Sequence, residues 1–184
     1  AYQLAAEHIG AHWCDRSVAA LVATPSNPTG TLIAPDELKR IHDIAPALIV
    51  SLAPDIDGAD EVIRKGAEIG ITSSAAHTSA TAARIFEAKA AGLKHLTHFC
   101  NAMTPVHHRE IGVVGAGLLD DSLKIELICD QIHLCPDMLK LVFKLVPIDR
   151  LLMITDSMAA SWIGQGEVML GGLAVIVADG KAVL

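Results

Sequence analysis

Apolar residues in this chain arrive in short runs, and polar or turn-forming residues close each run. Residues 18–23 (VAALVA) predict a strand, stopped by Thr24, Pro25 and the turn-forming Asn27-Pro28-Thr29-Gly30. A helix is predicted from Pro35 to about Ile44, because proline followed by Asp36 and Glu37 suits a first helical turn. Residues 47–52 predict the next strand, ended by Ala53-Pro54-Asp55, and residues 59–69 carry a helical period that stops at Gly70. A strand follows at 71–74, a helix at 79–91 closed by Gly92, and a strand at 94–99. Residues 124–129 predict a strand running into Asp130-Gln131-Ile132-His133. The helix at 136–145 opens on Pro136 and Asp137, both favourable in a first turn, and the strand at 150–155 ends the series. Strands alternating with helices across short connections predict an α/β fold with a parallel sheet. The tail changes rhythm. Segments 167–173 and 174–178, followed by Asp179-Gly180, predict small antiparallel strands with a tight turn.

Composition sharpens this picture. Of 184 residues, 52% are apolar but 3% aromatic, so the core must be built from Ala, Leu, Ile and Val. That suits parallel strands buried under helices. The net charge of −7 argues against a general nucleic-acid partner, while leaving room for a local basic spot that takes a small phosphate. Cys14, Cys100, Cys129 and Cys135 lack close paired spacing and read as free, mostly buried thiols of a reducing compartment. No apolar run reaches membrane-spanning length, and no basic-then-apolar leader opens the chain, so the expectation is a cytoplasmic protein without a membrane partner.

The chemistry gathers where the runs end. His77 follows the run at 69–72, His98 closes the one at 93–99, and Asp156 follows Leu151-Leu152-Met153-Ile154. In parallel α/β proteins the C-terminal ends of strands are where ligands bind. Two imidazoles and a carboxylate there suggest a metal-assisted hydrolytic site. Plainer readings stand beside this one. His77 and His98 can be hydrogen-bonded strand-end histidines, Asp156 can cap a helix, and Arg109, next to Glu110, can be a solvated charge.

Six blocks, in order from about Ile44 onward, carry a resemblance. They are Ser51-Leu52-Ala53-Pro54-Asp55, Ser74-Ala75-Ala76-His77-Thr78, residues 97–103 (THFCNAM), His108-Arg109-Glu110-Ile111-Gly112, Asp130-Gln131-Ile132-His133 and Thr155-Asp156-Ser157-Met158. Together they resemble the N-acetylglucosamine-6-phosphate deacetylase family and its galactosamine relatives in the amidohydrolase superfamily. The resemblance implies a partial (β/α)8 barrel over residues 43–160, a type that takes about 250 residues when complete. The start of a small β segment would follow at 161–184. It implies hydrolysis of the acetamide of an N-acetylhexosamine 6-phosphate, with a divalent metal, zinc first and iron or another ion second, on His77 and His98. Asp156 would be the general acid/base and His133 would polarise the carbonyl. Asn101, Ala102 and Arg109 would hold the sugar phosphate, Arg109 often from a neighbouring subunit, so a homodimer is implied. His107 and His108 receive no task.

There are departures from the family pattern. Ala76 and Gln131 stand where the family has glycine, and Ile111 stands where it has proline. The early H-x-H motif and the E-G-P block, whose glutamate is a metal ligand in the family, are not present in these 184 residues. The alternative reading is therefore a catalytically incomplete barrel fragment or chimera that folds, or binds sugar phosphate, without turnover. Residues 1–42 resemble instead a fold-type-I aminotransferase segment, through Ser26-Asn27-Pro28-Thr29-Gly30-Thr31. There Asn27 would face a pyridoxal ring oxygen, although the same residues make an ordinary strand-to-helix turn.

Overall fold

A computed structural model describes residues 5–17, 20–23, 33–45, 47–157, 164–170, 173–178 and 181–183. The Asn27 block and Met158 lie outside the described residues. The chain runs α1 (Ala6–His12), β1 (Ala20–Ala23), α2 (Pro35–Ile44), β2 (Leu48–Leu52), α3 (Ala59–Glu68), β3 (Thr72–Ala75), α4 (Ala82–Ala91) and β4 (Leu93–Leu96). It continues through α5 (Gly112–Leu119), β5 (Lys124–Ile128), α6 (Pro136–Leu145), a 3-10 turn (Ile148–Arg150) and β6 (Leu151–Ile154). Last come β7 (Gly166–Leu170), β8 (Leu173–Ala178) and β9 (Lys181–Val183).

Strands β1 to β6 form one parallel sheet in sequence order, and β7-β8-β9 form a separate antiparallel sheet. A parallel sheet in sequence order is the strand order of a barrel wall, and right-handed crossovers, the general rule, would put the connecting helices on one face. Among the described residues the sheet stays open, since β1 and β6 each pair on one side. The core between the sheet and its helices holds strand residues Leu48, Val50, Leu52, Leu96, Ile125 and Leu127 and helix residues Ile63, Ile85 and Val142, all buried. Each such side chain stabilises the fold by about 1.5–3 kcal/mol. The other face is polar. The Thr97 hydroxyl meets Ser74 Oγ at 2.6 Å and Ser51 Oγ at 3.1 Å, joining β2, β3 and the end of β4.

The predicted helices at 35–44 and 136–145 appear with those bounds. Other bounds move for local reasons. The helix expected from 79 starts at Ala82, because the Thr81 side chain accepts from Arg84 N at 3.2 Å and caps it. The strand expected to reach Phe99 ends at Leu96, because His98 turns to φ 35° and breaks the extended path. In the tail, β7 and β8 pair Leu170 with Leu173, so the break falls there and not at 173–174, and β9 adds a third strand.

Two helices carry no sequence expectation, α1 and α5. Residues 112–117 of α5 are all buried, so it shows no polar face. A Cβ on Gly117 would come within 2.6 Å of Leu96 Cδ1 and of the Phe99 ring, so this glycine lets α5 lie close under the end of β4. The cysteines are free, as expected, but Cys14 and Cys135 are exposed rather than buried, since they lie in loops outside the sheet. Burial pushes the Cys100 thiol up to about 12, which leaves it unreactive.

Candidate active site

The strand ends build the site, and they build it on unusual backbone. His77, His98, Cys100, Ala102, Gln131 and Asp156 all have φ between 35° and 73°, although none is glycine. Each follows β3, β4, β5 or β6, where the chain reverses toward the next helix. Such conformations are unfavourable for residues with a Cβ and persist only where surrounding contacts fix them.

The turns after β3 and β4 bring two imidazoles together. The His77 and His98 ring centroids lie 4.7 Å apart, edge to face at 84°. His98 is 5% exposed, and its Nδ1 is buried without a hydrogen-bond partner. An orphaned buried ring nitrogen is costly unless something occupies it. Burial first, and then the neighbouring His98, push the His77 pKa below the usual histidine value, while Asp156 pulls it back up. His77 is thus held neutral near pH 7, the form in which imidazole binds a metal. The influence of Asp156 places its carboxylate within electrostatic reach of His77, at the exposed end of β6. Two imidazoles of this kind fit a divalent ion as partial ligands. Among the described residues no group of three or more His, Cys, Asp or Glu is arranged to hold a metal, so the set is not closed by Asp156.

His133 lies on the loop after β5, half-exposed, with Nδ1 2.6 Å from Asp130 Oδ2. Asp130 also accepts the backbone N–H of Ile132 and of His133, each at 2.9 Å. Burial acts to raise the Asp130 pKa, but these bonds outweigh it and hold the carboxyl below its usual value. A carboxylate on Nδ1 fixes the ring and leaves Nε2 to face a ligand. Asp130 was not among the expected site residues, although its spacing three before His133 is visible in the sequence.

Asn101 folds back on its own turn, donating Nδ2 to His98 O at 3.2 Å. Ala102 O accepts from Thr78 N at 3.1 Å. Arg109 is exposed and forms no ion pair among the described residues, while the neighbouring His107 and His108 rings lie tilted at 43° with centroids 4.1 Å apart. Glu110 is more than a neighbouring charge. Its Oε1 accepts from Ala82 N and Gly112 N, both at 2.9 Å, and these two donors lower its pKa. It thereby joins the start of α4 to the start of α5. Ala76 is not among the residues of positive φ, so the methyl that replaces the family's glycine causes no backbone strain. At Gln131 φ is 63°, a conformation in which glycine is favoured. Two hollows in the molecule, of about 510 Å³ by α1 and α2 and about 30 Å³ by α3, are lined by none of these strand-end residues.

No family model matches the chain. Curated proteins and solved structures do. It is 43% identical to the N-acetylglucosamine-6-phosphate deacetylase of Bacillus subtilis over 136 residues, covering 74% of this chain and 34% of that enzyme. It is 37% identical to the N-acetylgalactosamine-6-phosphate deacetylase of Escherichia coli O157:H7, covering 67% of this chain and 33% of that enzyme. The chain therefore spans about a third of the length of the curated relatives it matches. Among solved structures, the N-acetylglucosamine-6-phosphate deacetylase of Mycobacterium smegmatis, a mutant in complex with N-acetyl-D-glucosamine-6-phosphate, aligns with a TM-score of 0.82 at 28% identity. That alignment covers 97% of this chain and 49% of that one. The Thermotoga maritima enzyme aligns with a TM-score of 0.74 at 39% identity over 82% of this chain and 41% of that one. The likeness to the first of these structures extends over nearly the whole chain, whereas the curated relatives match about two thirds to three quarters of it.

Proposed function

We propose that this chain carries strand-end chemistry for metal-assisted hydrolysis of the acetamide of an N-acetylhexosamine 6-phosphate, giving acetate and the amino-sugar phosphate. The observation that supports it most is the buried, orphaned Nδ1 of His98 beside the neutral His77, at the ends of adjacent strands. His77 and His98 would hold the divalent ion, zinc first and iron second. When bound, such an ion polarises a carbonyl and makes a water acidic enough to attack near neutral pH.

The remaining work belongs to side chains. Asp156 takes a proton on its carboxylate from the attacking water and returns it to the departing nitrogen as the C–N bond breaks. His133, its ring held by Asp130 through Nδ1, would polarise the acetamide oxygen through Nε2 and oppose the charge that builds there. The backbone around Asn101 and Ala102 and the exposed Arg109 guanidinium are offered to the phosphate, and a guanidinium fork matches phosphate oxygens well. The exposed Arg109 fits a role across a dimer. Residues 1–42 enter as a β-α unit of the wall, since β1 pairs with β2, with 43–160 as the barrel portion and 161–184 as the small β segment. A charged sugar phosphate does not cross a bilayer unaided, which favours a cytoplasmic site. No helix among the described residues is long and apolar enough to cross a membrane.

A second reading has its own observation. The described residues offer no three-ligand group, which favours a barrel portion that binds the sugar phosphate without turnover. Acetate release from N-acetylglucosamine 6-phosphate and its galactosamine counterpart, with Zn²⁺ added, separates the two. The reading predicts metal-dependent release that falls by about 10²-fold or more in Asp156→Asn. Binding of either sugar phosphate with no acetate released supports the second reading, and neither binding nor release contradicts both.

A further inference from the structure

His77 sits at φ 45° on an exposed turn, and something must keep it there. The neighbouring turns help to anchor it. The next residue, Thr78, is 4% exposed and holds the turn from both sides. Its hydroxyl donates to Asp55 Oδ1, on the loop after β2. Its backbone N–H donates to Ala102 O, on the loop after β4, at 3.1 Å. The second Asp55 oxygen accepts from Ser79 N at 3.3 Å, and Thr78 Oγ1 accepts from Ala80 N at 3.1 Å. Beyond that point Thr104 Oγ1 donates to Ala80 O at 2.7 Å. The segment 78–80 is thus fastened to the turns on either side, and on the β2 side the fastening runs through one carboxylate.

We propose that Asp55 is a positioning residue that holds His77 against His98. The proposal deepens the metal-site reading above and rests on it for its chemical purpose. Asp55 bonds to Thr78 and Ser79. It acts through Thr78, the residue that must stay in place if His77 is to keep a left-handed backbone and its ring is to meet His98 edge-on. The Asp55 carboxylate accepts from two successive donors just past His77, the Thr78 hydroxyl and the Ser79 N–H, so it orients the turn as well as anchoring it. The role falls to the last residue of the Ser51-Leu52-Ala53-Pro54-Asp55 block.

The test uses the metal-free chain with labelled histidines, so that it reads geometry independently of activity. At a centroid separation of 4.7 Å, the ring protons of His77 and His98 should show a mutual NOE. Asp55→Ala should abolish it and Asp55→Glu should restore it. The NOE between His107 and His108, 4.1 Å apart, should persist in every variant as the internal control. Thr78→Val removes the same hydrogen bond from its other end and should act like Asp55→Ala, which keeps the test open if one of the two fails to fold. Zinc affinity, measured calorimetrically, should fall about tenfold with the loss of the NOE. An unchanged His77–His98 NOE in folded Asp55→Ala or Thr78→Val overturns the proposal. A wild-type chain that shows the NOE but takes up no zinc contradicts the metal-site reading instead, and the NOE series still decides the role of Asp55.

Discussion

Gln131 shows how one residue carries both ancestry and strain. It stands where the related family has glycine, and the structure holds it at φ 63°. A side chain in this region costs free energy that glycine avoids. Gln131→Gly should therefore raise stability by about 1 kcal/mol in urea unfolding, and a loss of stability would mean that the Gln131 side chain contributes contacts outweighing its strain. Ala76, the other departure at a family glycine, should show no such gain, because its backbone needs no positive φ. Sequence alone shows both substitutions but cannot tell them apart, because φ is a property of the turn. The same holds for the candidate site. His77, His98, Asp156 and His133 are legible as polar residues closing apolar runs. The hydrogen bond from Thr78 to Asp55 spans 23 positions and depends on two loops meeting, which no local pattern encodes.

At the scale of elements, the β-α alternation is legible because each strand is a short apolar run and the helices α2 and α6 begin on Pro followed by Asp. Helix α5 is not, because its glycines are poor helix formers and its burial on all sides removes the polar face that periodicity needs. What fixes its end is Asp120, which accepts from Ser122 N at 2.8 Å and Leu123 N at 2.9 Å and pairs with Lys89 on α4. Burial alone would raise the Asp120 pKa, but Lys89 and the Ser122 and Leu123 donors hold it far below the usual carboxylate range. A carboxyl lowered in the folded state lends stability that is complete above its unfolded pKa of about 3.9 and fades as pH falls toward the native value. Asp120→Asn should cost about 1–3 kcal/mol at pH 7, and the difference from wild type should shrink below about pH 4. Chemical denaturation across pH measures this, and a difference that stays constant down to pH 2 would contradict it.

Taken whole, the described residues form an open arc of six parallel strands, and the chain aligns with less than half of the length of two solved deacetylase chains. Its β6 side shows what an open arc leaves uncovered. Met153 is 77% exposed and Ile148 78%, positions at which further secondary structure would ordinarily pack. The polar rim survives this openness because its geometry is set by neighbouring turns. Asp55, Thr78, Ala102 and Glu110 tie the loops after β2, β3 and β4 to one another and to the starts of α4 and α5. On this account the pairing of His77 with His98 is intrinsic to the chain, and the two imidazoles are proposed to hold a divalent ion. Calorimetric titration of the chain with Zn²⁺ tests that most directly. The account predicts uptake of about one equivalent that is lost in both His77→Ala and His98→Ala, through the imidazole nitrogens that suit this ion. Absence of uptake by the wild-type chain, or uptake that survives both substitutions, would contradict it.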